Sequence, residues 1–299
     1  MDLFRNDIET YKKKVILKFS KLRFLDVSNK FDVYNPSRIF DFKGERYLFG
    51  RVEKRKEWAN SKVRLFRKTD SGWKKISFSK IFRLEDPFVT MINDELVFGG
   101  VFVKKTSGKI EFKTVFYKGR SPFSLKKFSE GPWGMKDIRL VGLQDGKIGV
   151  FTRPLGGKYE KGKIGFIFLD SISELNVENI EKAKLIKFPF KKDEWGGVND
   201  IIELKEGLLG VIGHLAYSED DGRKFYYPIS FKFEIKSRKI SNLKLLFTRN
   251  DLPFGLPKNR FLYNVIFPGG GILDPENLHL CVGVGDSEAY EVVVRNPFN

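Results

Sequence analysis

The sequence predicts an all-β protein built as a five-bladed β-propeller. Three observations carry this expectation: one segment order recurs five times, short apolar runs rich in Phe, Val and Ile alternate with Gly, Asp and Asn turns, and long helical periodicity is absent. The recurring order is an Asn or Asp, an apolar strand, a tight turn and a second apolar strand. It occurs in residues 34–53, 85–102, 136–154, 199–214 and 263–286. The opening polar residues are Asn35, Asp86, Asp137, Asp200 and Asn264, separated by 51, 51, 63 and 64 positions. Such intervals hold about four strands of ~5–6 residues with their turns, which is the content of one blade.

Between the copies lie further strand pairs, SKVRLFRK with SGWKKISF, IEFKTVFYKG with FSLKKFSE, and GKIGFIFLD with AKLIKFPF. Residues 172–183 read as a helical turn or an irregular blade loop. Residues 1–299 therefore read as one propeller domain. The segment VILKFSKLRFL (15–25) precedes the first copy and EAYEVVVR (288–295) follows the last. Pairing an early strand into the last blade would close the ring and remove an exposed edge.

With 41% hydrophobic and 15% aromatic residues, the chain has ample apolar surface for a core. One cysteine, Cys281, excludes an intramolecular disulfide and a cysteine zinc site, and two histidines, His214 and His279, leave little for a histidine metal centre. Neither a secretory signal pattern nor a run of about 18 apolar residues is found, so the expectation is a soluble cytoplasmic protein without membrane association. A single glutamine, few Cys and Met, and abundant Lys and Glu match the usage of thermophile proteins.

The formal net charge is +17, which raises nucleic acid as a partner. The lysines are scattered, however, and no basic run exceeds three residues, as at Lys12–Lys14. The charge therefore reads as a diffuse solvated surface, with no nucleic-acid partner expected.

Inner strands of a propeller converge on one mouth, and so do equivalent residues of successive copies. The repeated Asn/Asp position serves either as an Asx turn or as a polar lining of that mouth. A second ring lies at the end of the second strand: Arg51, Arg153, His214 and Asp286. Arg51 and Arg153 each follow their Asx residue by 16 positions. The two rings together suit a pocket with carboxylates for proton transfer or sugar hydroxyls and cations for an anion. Among the aromatics Tyr34, Phe88, Trp133, Trp195 and Tyr263, packing is the expectation for Phe88. Trp133 and Trp195, in the Gly-rich GPWGMKD and DEWGGVND, are candidates for a pocket rim that stacks on sugars.

These segments resemble glycoside hydrolase family 130, five-bladed propellers that include β-mannoside phosphorylases and mannosidases. EDP (85–87) is similar to that family's acidic motif, KDIRLVGLQDGKIGVFTRP to its strand pair ending in Arg-Pro, DIIELKEGLLGVIGH to its fourth-blade segment, and NVIFPGGGI followed by GVGD to its last blade. The resemblance implies Asp86 as the general acid and Asn35, Arg51 and Asp286 in the subsite of the cleaved sugar; Asn264, Trp133 and Trp195 are the further substrate-binding candidates that the repeat and its loops supply. It implies Arg153 and His214 on the phosphate side. Two positions depart: Phe88 follows Pro87 where the family carries Arg, and Glu194 falls where the phosphorylases carry a phosphate-binding Lys.

Each departure removes a cation. The resulting expectation is inverting cleavage of β-mannoside bonds in short oligosaccharides, with hydrolysis ahead of phosphorolysis and Glu194, Asp137 or Asp200 as base for water. No cofactor is expected, inorganic phosphate being the one co-substrate in question. The alternatives are a non-catalytic sugar- or anion-binding propeller and a protein-interaction scaffold.

Overall fold

A computed structural model describes residues 16–157 and 161–299. Before blade one run β1 (Ile16–Lys21) and β2 (Phe24–Leu25). The inner strand of blade one is split into β3 (Phe31–Tyr34) and β4 (Phe40–Phe42), and β5 (Glu45–Lys54), β6 (Lys62–Thr69) and β7 (Gly72–Lys75) follow outward. Blade two is β8 (Glu85–Ile92), β9 (Glu95–Thr106), β10 (Lys109–Gly119) and β11 (Lys126–Glu130). Blade three is β12 (Arg139–Gly142), β13 (Ile148–Thr152), β14 (Gly165–Leu169) and β15 (Lys184–Leu185). Blade four is β16 (Trp195–Lys205), β17 (Leu208–Ser218), β18 (Lys224–Glu234) and β19 (Lys239–Leu245). Blade five holds β20 (Asn264–Leu273), β21 (Asn277–Val284) and β22 (Glu288–Arg295).

The fourth strand of blade five is β1, antiparallel to β22 from Ile16 opposite Val294 to Lys21 opposite Tyr290. Of the segment expected to close the ring, Val15 lies outside the described residues. A short parallel pairing of Phe225 and Tyr226 with Asn264 and Val265 joins blades four and five into one hydrogen-bonded sheet. The segment 172–183 forms a 3-10 turn and the one-turn helix α1 (Val177–Glu181), capped by the Asn176 side chain and set between β14 and β15.

Local chemistry explains the hairpins. Lys43–Gly44 joins β4 to β5 with φ of 52° and 78°, and Asn93–Asp94 joins β8 to β9 with φ of 49° and 60°. Two consecutive positive φ values give a turn whose twist matches the flanking strands. Packing then follows the ring. Five apolar clusters fill the five interfaces between neighbouring blades. Phe49, Phe82 and Phe98 join blades one and two; Phe151, Phe166 and Phe233 join three and four; Leu48 and Trp73 meet Cys281 and Ala289 between one and five. Phe49 and Phe98 lie 4.4 Å apart between ring centres. The Phe content is thus used where flat sheets meet and need bulky filler. Phe88, 3% exposed, belongs to the cluster between blades two and three. No helix among the described residues is long and apolar enough to cross a membrane.

Candidate active site

Asn35, Asp86 and Asp137 sit at the same place in blades one, two and three, each in the left-handed region with φ of 43°, 48° and 57°. Short Asx side chains tolerate this conformation, which turns the chain as it enters the inner strand. Their side chains are not spent on the turn. Asn35 Nδ2 donates to Asp86 Oδ1 at 2.8 Å across the blade interface. Arg51 Nη1 donates to the same oxygen at 3.1 Å. Asp86 Oδ2 has no protein partner among the described residues.

Arg51 is the hub of this half of the site. Its Nε donates to Ser61 Oγ at 2.8 Å, and its Nη2 pairs with Glu85 at 2.9 Å and lies 3.6 Å from Glu53. Burial works against its charge, but Glu85, Asp86 and Asp286 hold the guanidinium charged well beyond the usual range. Glu53 also accepts from Tyr34 Oη at 2.6 Å and from Ser61 Oγ, and it contacts Lys258 Nζ. Burial pushes the carboxyls of Glu85 and Asp286 up; Arg51 opposes this in both, and the charge of Asp86 adds to it. Glu85 and Asp286 therefore retain proton affinity at one wall of the funnel, whereas in Glu53 Arg51 and Lys258 outweigh burial and hold the carboxyl below its ordinary range.

The opposite wall is cationic. Arg153 Nη1 donates to Asp137 Oδ2 at 2.7 Å and Nη2 to the Lys161 carbonyl at 3.1 Å. Burial alone would raise the Asp137 carboxyl, but Arg153, then Lys136, outweigh it and hold it far below the usual carboxylate range. Gly197 of β16 makes room here: a Cβ on it would lie 3.1–3.2 Å from His214, Arg153 and Asp137. Arg139 donates Nε to the Asn199 carbonyl at 2.9 Å and stacks its guanidinium 4.4 Å from the centre of the Phe88 ring. Burial pulls the Arg139 guanidinium down, against the charges of Asp137, Asp86 and Asp200.

His214 lies between Tyr226, stacked at 5.5 Å, and Phe267 at 5.3 Å, with Nδ1 2.7 Å from Asn199 Oδ1. The amide oxygen accepts, so Nδ1 carries the hydrogen and Nε2 a lone pair. Burial, helped by Arg153 and Lys136 against Asp137, lowers His214 to about 3. The expectation of a cation at His214 is thereby corrected to a neutral imidazole. The cations of this wall are Arg153, Arg139 and Lys136.

Asp200 behaves differently from its supposed equivalents. It accepts from the Ile201 and Gly271 backbone N–H groups at 2.9 and 3.0 Å and pairs with Arg38 at 3.5 Å across the ring axis. It is a structural tie, and the lining position in blade four is its neighbour Asn199, next to a bulge between Val198 and Asp200. In blade five the matching bulge falls between Pro268 and Gly270. A Cβ on Gly269 would lie 1.5 Å from the Pro36 carbonyl oxygen, so no side chain fits. Asn264 opens β20 opposite Phe225, outside this lining.

Buried Glu194 accepts from the Lys191 backbone at 3.0 Å within its own loop, and no bond joins it to either wall among the described residues. Trp195 donates Nε1 to Tyr226 Oη at 3.3 Å, and Lys161 Nζ lies 4.9 Å above its ring. Trp133, 49% exposed, shares a groove with Thr152 and Pro154, the neighbours of Arg153, and carries Lys113 Nζ 4.4 Å over its ring. Both tryptophans thus border the cationic wall.

Glu53, Glu85, Lys136, Arg139, Asn199 and Lys258 were not singled out from sequence. Glu85, Lys136 and Arg139 stand within two residues of Asp86 or Asp137, a proximity that could have marked them. Lys258 comes from the long connection between β19 and β20, where no periodicity points to it.

The family described as protein of unknown function (DUF1861) matches residues 9–299. The chain belongs to this family. Among solved structures, MPT-4, a mannose phosphorylase from Leishmania mexicana in complex with phosphate ion, is 37% identical, with 98% of this chain and 92% of that chain covered and a TM-score of 0.90. MPT-1, a GDP-Man-dependent mannosyltransferase from Leishmania mexicana, is 36% identical over 99% of this chain and 95% of that chain, also at a TM-score of 0.90. The β-1,2-mannobiose phosphorylase of Listeria innocua shares the fold at 13% identity and a TM-score of 0.66, with 95% of each chain covered. The chain is thus a divergent propeller of the glycoside hydrolase family 130 type. No curated protein matches it.

Proposed function

We propose that this protein is a mannoside-processing glycoside phosphorylase that transfers a mannosyl group to inorganic phosphate with inversion. One observation carries the proposal: Asp86, whose Oδ1 accepts two hydrogen bonds while Oδ2 has no partner among the described residues, lies within electrostatic reach of Arg139, and around Asp137 the cations Arg153, Lys136 and Arg139 gather. The cations missing at Phe88 and at Glu194 are replaced from blade three, Arg139 lying directly over the Phe88 ring. That replacement weighs for phosphate over water as nucleophile.

In the proposed reaction the bond from the anomeric carbon to the leaving oxygen breaks, and that oxygen takes a proton from Asp86 directly or through a neighbouring sugar hydroxyl. A phosphate oxygen forms the new bond from the opposite face. Fixed guanidinium and ammonium groups suit a dianion held for in-line attack, and their charge needs no reorganisation as the reaction proceeds. Neutral His214 offers Nε2 as an acceptor for a phosphate hydroxyl rather than as a charge. Two relatives, at 37% and 36% identity, are a mannose phosphorylase and a GDP-Man-dependent mannosyltransferase, which supports a mannosyl group as the one transferred and keeps a nucleotide-sugar donor as the second reading.

The test is incubation with β-mannobioses and larger mannosides, with and without phosphate, and separately with GDP-mannose, following anomeric signals by NMR. Phosphate-dependent release of mannose 1-phosphate is the expected result. Phosphate-independent release of mannose would restore hydrolysis, consumption of GDP-mannose alone would favour the transferase, and sugar binding without turnover would leave a binding propeller.

A further inference from the structure

A second cation-lined cavity lies on the flank of blade one, with a volume of about 300 Å³. Its polar lining includes Lys54, Lys62, Arg64 and Lys75, against the single carboxylate of Glu57. That carboxylate is already engaged, with Lys54 Nζ at 2.7 Å and Asn60 Nδ2 at 2.9 Å. None of the funnel residues Arg51, Asp86, Asp137, Arg153 or His214 lines it.

Arg64 is the informative residue. Its Nε is buried without a hydrogen-bond partner among the described residues, and Nη2 reaches only the Ile76 and Ser77 carbonyls at 3.4 and 3.5 Å. Burial draws the guanidinium below its ordinary value, and no carboxylate offsets that cost. A half-buried cation without a counter-ion is expensive, and a bound anion removes the penalty. Lys62 and Lys75 stand beside it without an ion pair among the described residues. The remaining wall is apolar, formed by Val27, Phe31 and Val52. A cavity of this size holds a small ligand and is too narrow for a macromolecule.

We propose that this groove binds an organic phosphate, the phosphate group on Arg64, Lys62 and Lys75 and the ring of the ligand against Phe31 and Val52. Charge and shape divide the groove accordingly: inorganic phosphate satisfies the cations alone, while a sugar or nucleoside phosphate also covers the apolar wall. The groove reaches the funnel through one residue, since Asn60 lines it and donates its backbone N–H to Glu53 at 3.1 Å.

Calorimetric titration of the full chain with inorganic phosphate, mannose 1-phosphate and GDP tests the proposal, using Arg153→Met to silence the funnel. In that background at least one organic phosphate should still bind with 1:1 stoichiometry and more tightly than inorganic phosphate. Adding Arg64→Met, or in a second variant Lys62→Met with Lys75→Met on the rim, should weaken it at least about tenfold, equivalent to ~1.4 kcal/mol. Preference for mannose 1-phosphate or for GDP identifies the source of the phosphate. Absence of binding in the Arg153→Met background, or affinity left unchanged by both Arg64→Met and Lys62→Met/Lys75→Met, would overturn the proposal.

Discussion

Asn35 Nδ2 donates to Asp86 Oδ1 at 2.8 Å, joining two residues that are one blade apart in the sequence and occupy the same position in successive blades. The bond fixes the orientation of a carboxylate whose second oxygen has no partner among the described residues. Asn35→Ala removes this donor and leaves Arg51 as the remaining partner of Oδ1. A hydrogen bond to a charged group contributes ~1.5–3 kcal/mol, so kcat should fall by about ten- to a hundredfold with little change in thermal stability. A steady-state measurement with unchanged kcat would show that the Asn35 bond does not position Asp86. Gly283 is required for this arrangement, since a Cβ there would lie 1.8 Å from Asn35 Oδ1.

Lys136 tests the cationic wall. Its charge lowers Asp137, Glu85 and His214 together, so it stands between the two walls. Lys136→Met should raise KM for phosphate by about tenfold or more while the KM for the glycoside changes little, because a point charge at the anion is lost. An equal rise in both constants would place Lys136 in the sugar subsite.

His214 gives a pH signature. Its folded value of about 3 lies below the ordinary 6.5, so the native state holds the neutral form. The unfolded chain binds the proton first as pH falls; stability from this residue is complete above pH 6.5 and is lost progressively toward pH 3. Chemical denaturation from pH 7.5 to 4 should show the wild type losing more stability than His214→Asn across that interval. Parallel curves would mean that His214 takes up its proton as readily in the native state as in the unfolded chain.

Ring closure by β1 makes a further prediction. β1 covers the edge of β22 and packs Ile16 against the core between blades four and five. Deleting residues 1–21 should lower Tm by about 5 °C or more, given ~2–4 °C per kcal/mol in a domain of this size class. An unchanged Tm would show that the ring is held without this strand.

How much of this was legible in the sequence follows from what repeats. The five-bladed architecture shows itself because each blade restarts with an inner strand and a tight hairpin, and the left-handed Asx residue marks that restart in blades one to three. The spacing of 51 residues between Asn35, Asp86 and Asp137 is the visible trace. In blade four a bulge moves the lining position from Asp200 to Asn199, and in blade five Gly269 must stay bare beneath the Pro36 carbonyl, so the Asx pattern points to Asn264 instead. A one-residue shift inverts which face a strand residue lines, and only the pairing register reveals it. Charge compensation was equally hidden. Phe88 reads as the loss of an Arg until Arg139 from the next blade is found stacked upon it, and His214 reads as a cation until its burial between Tyr226 and Phe267 is known.

Asp86→Asn is the most direct test of the central claim. The substitution keeps the acceptor oxygen for Asn35 and Arg51 but removes the transferable proton. With phosphate and a β-mannobiose as substrates, mannose 1-phosphate formation should drop by about 10²–10⁴-fold while glycoside and phosphate still bind. Full activity of Asp86→Asn would contradict the assignment of Asp86 as the proton donor and, with it, this account of the site.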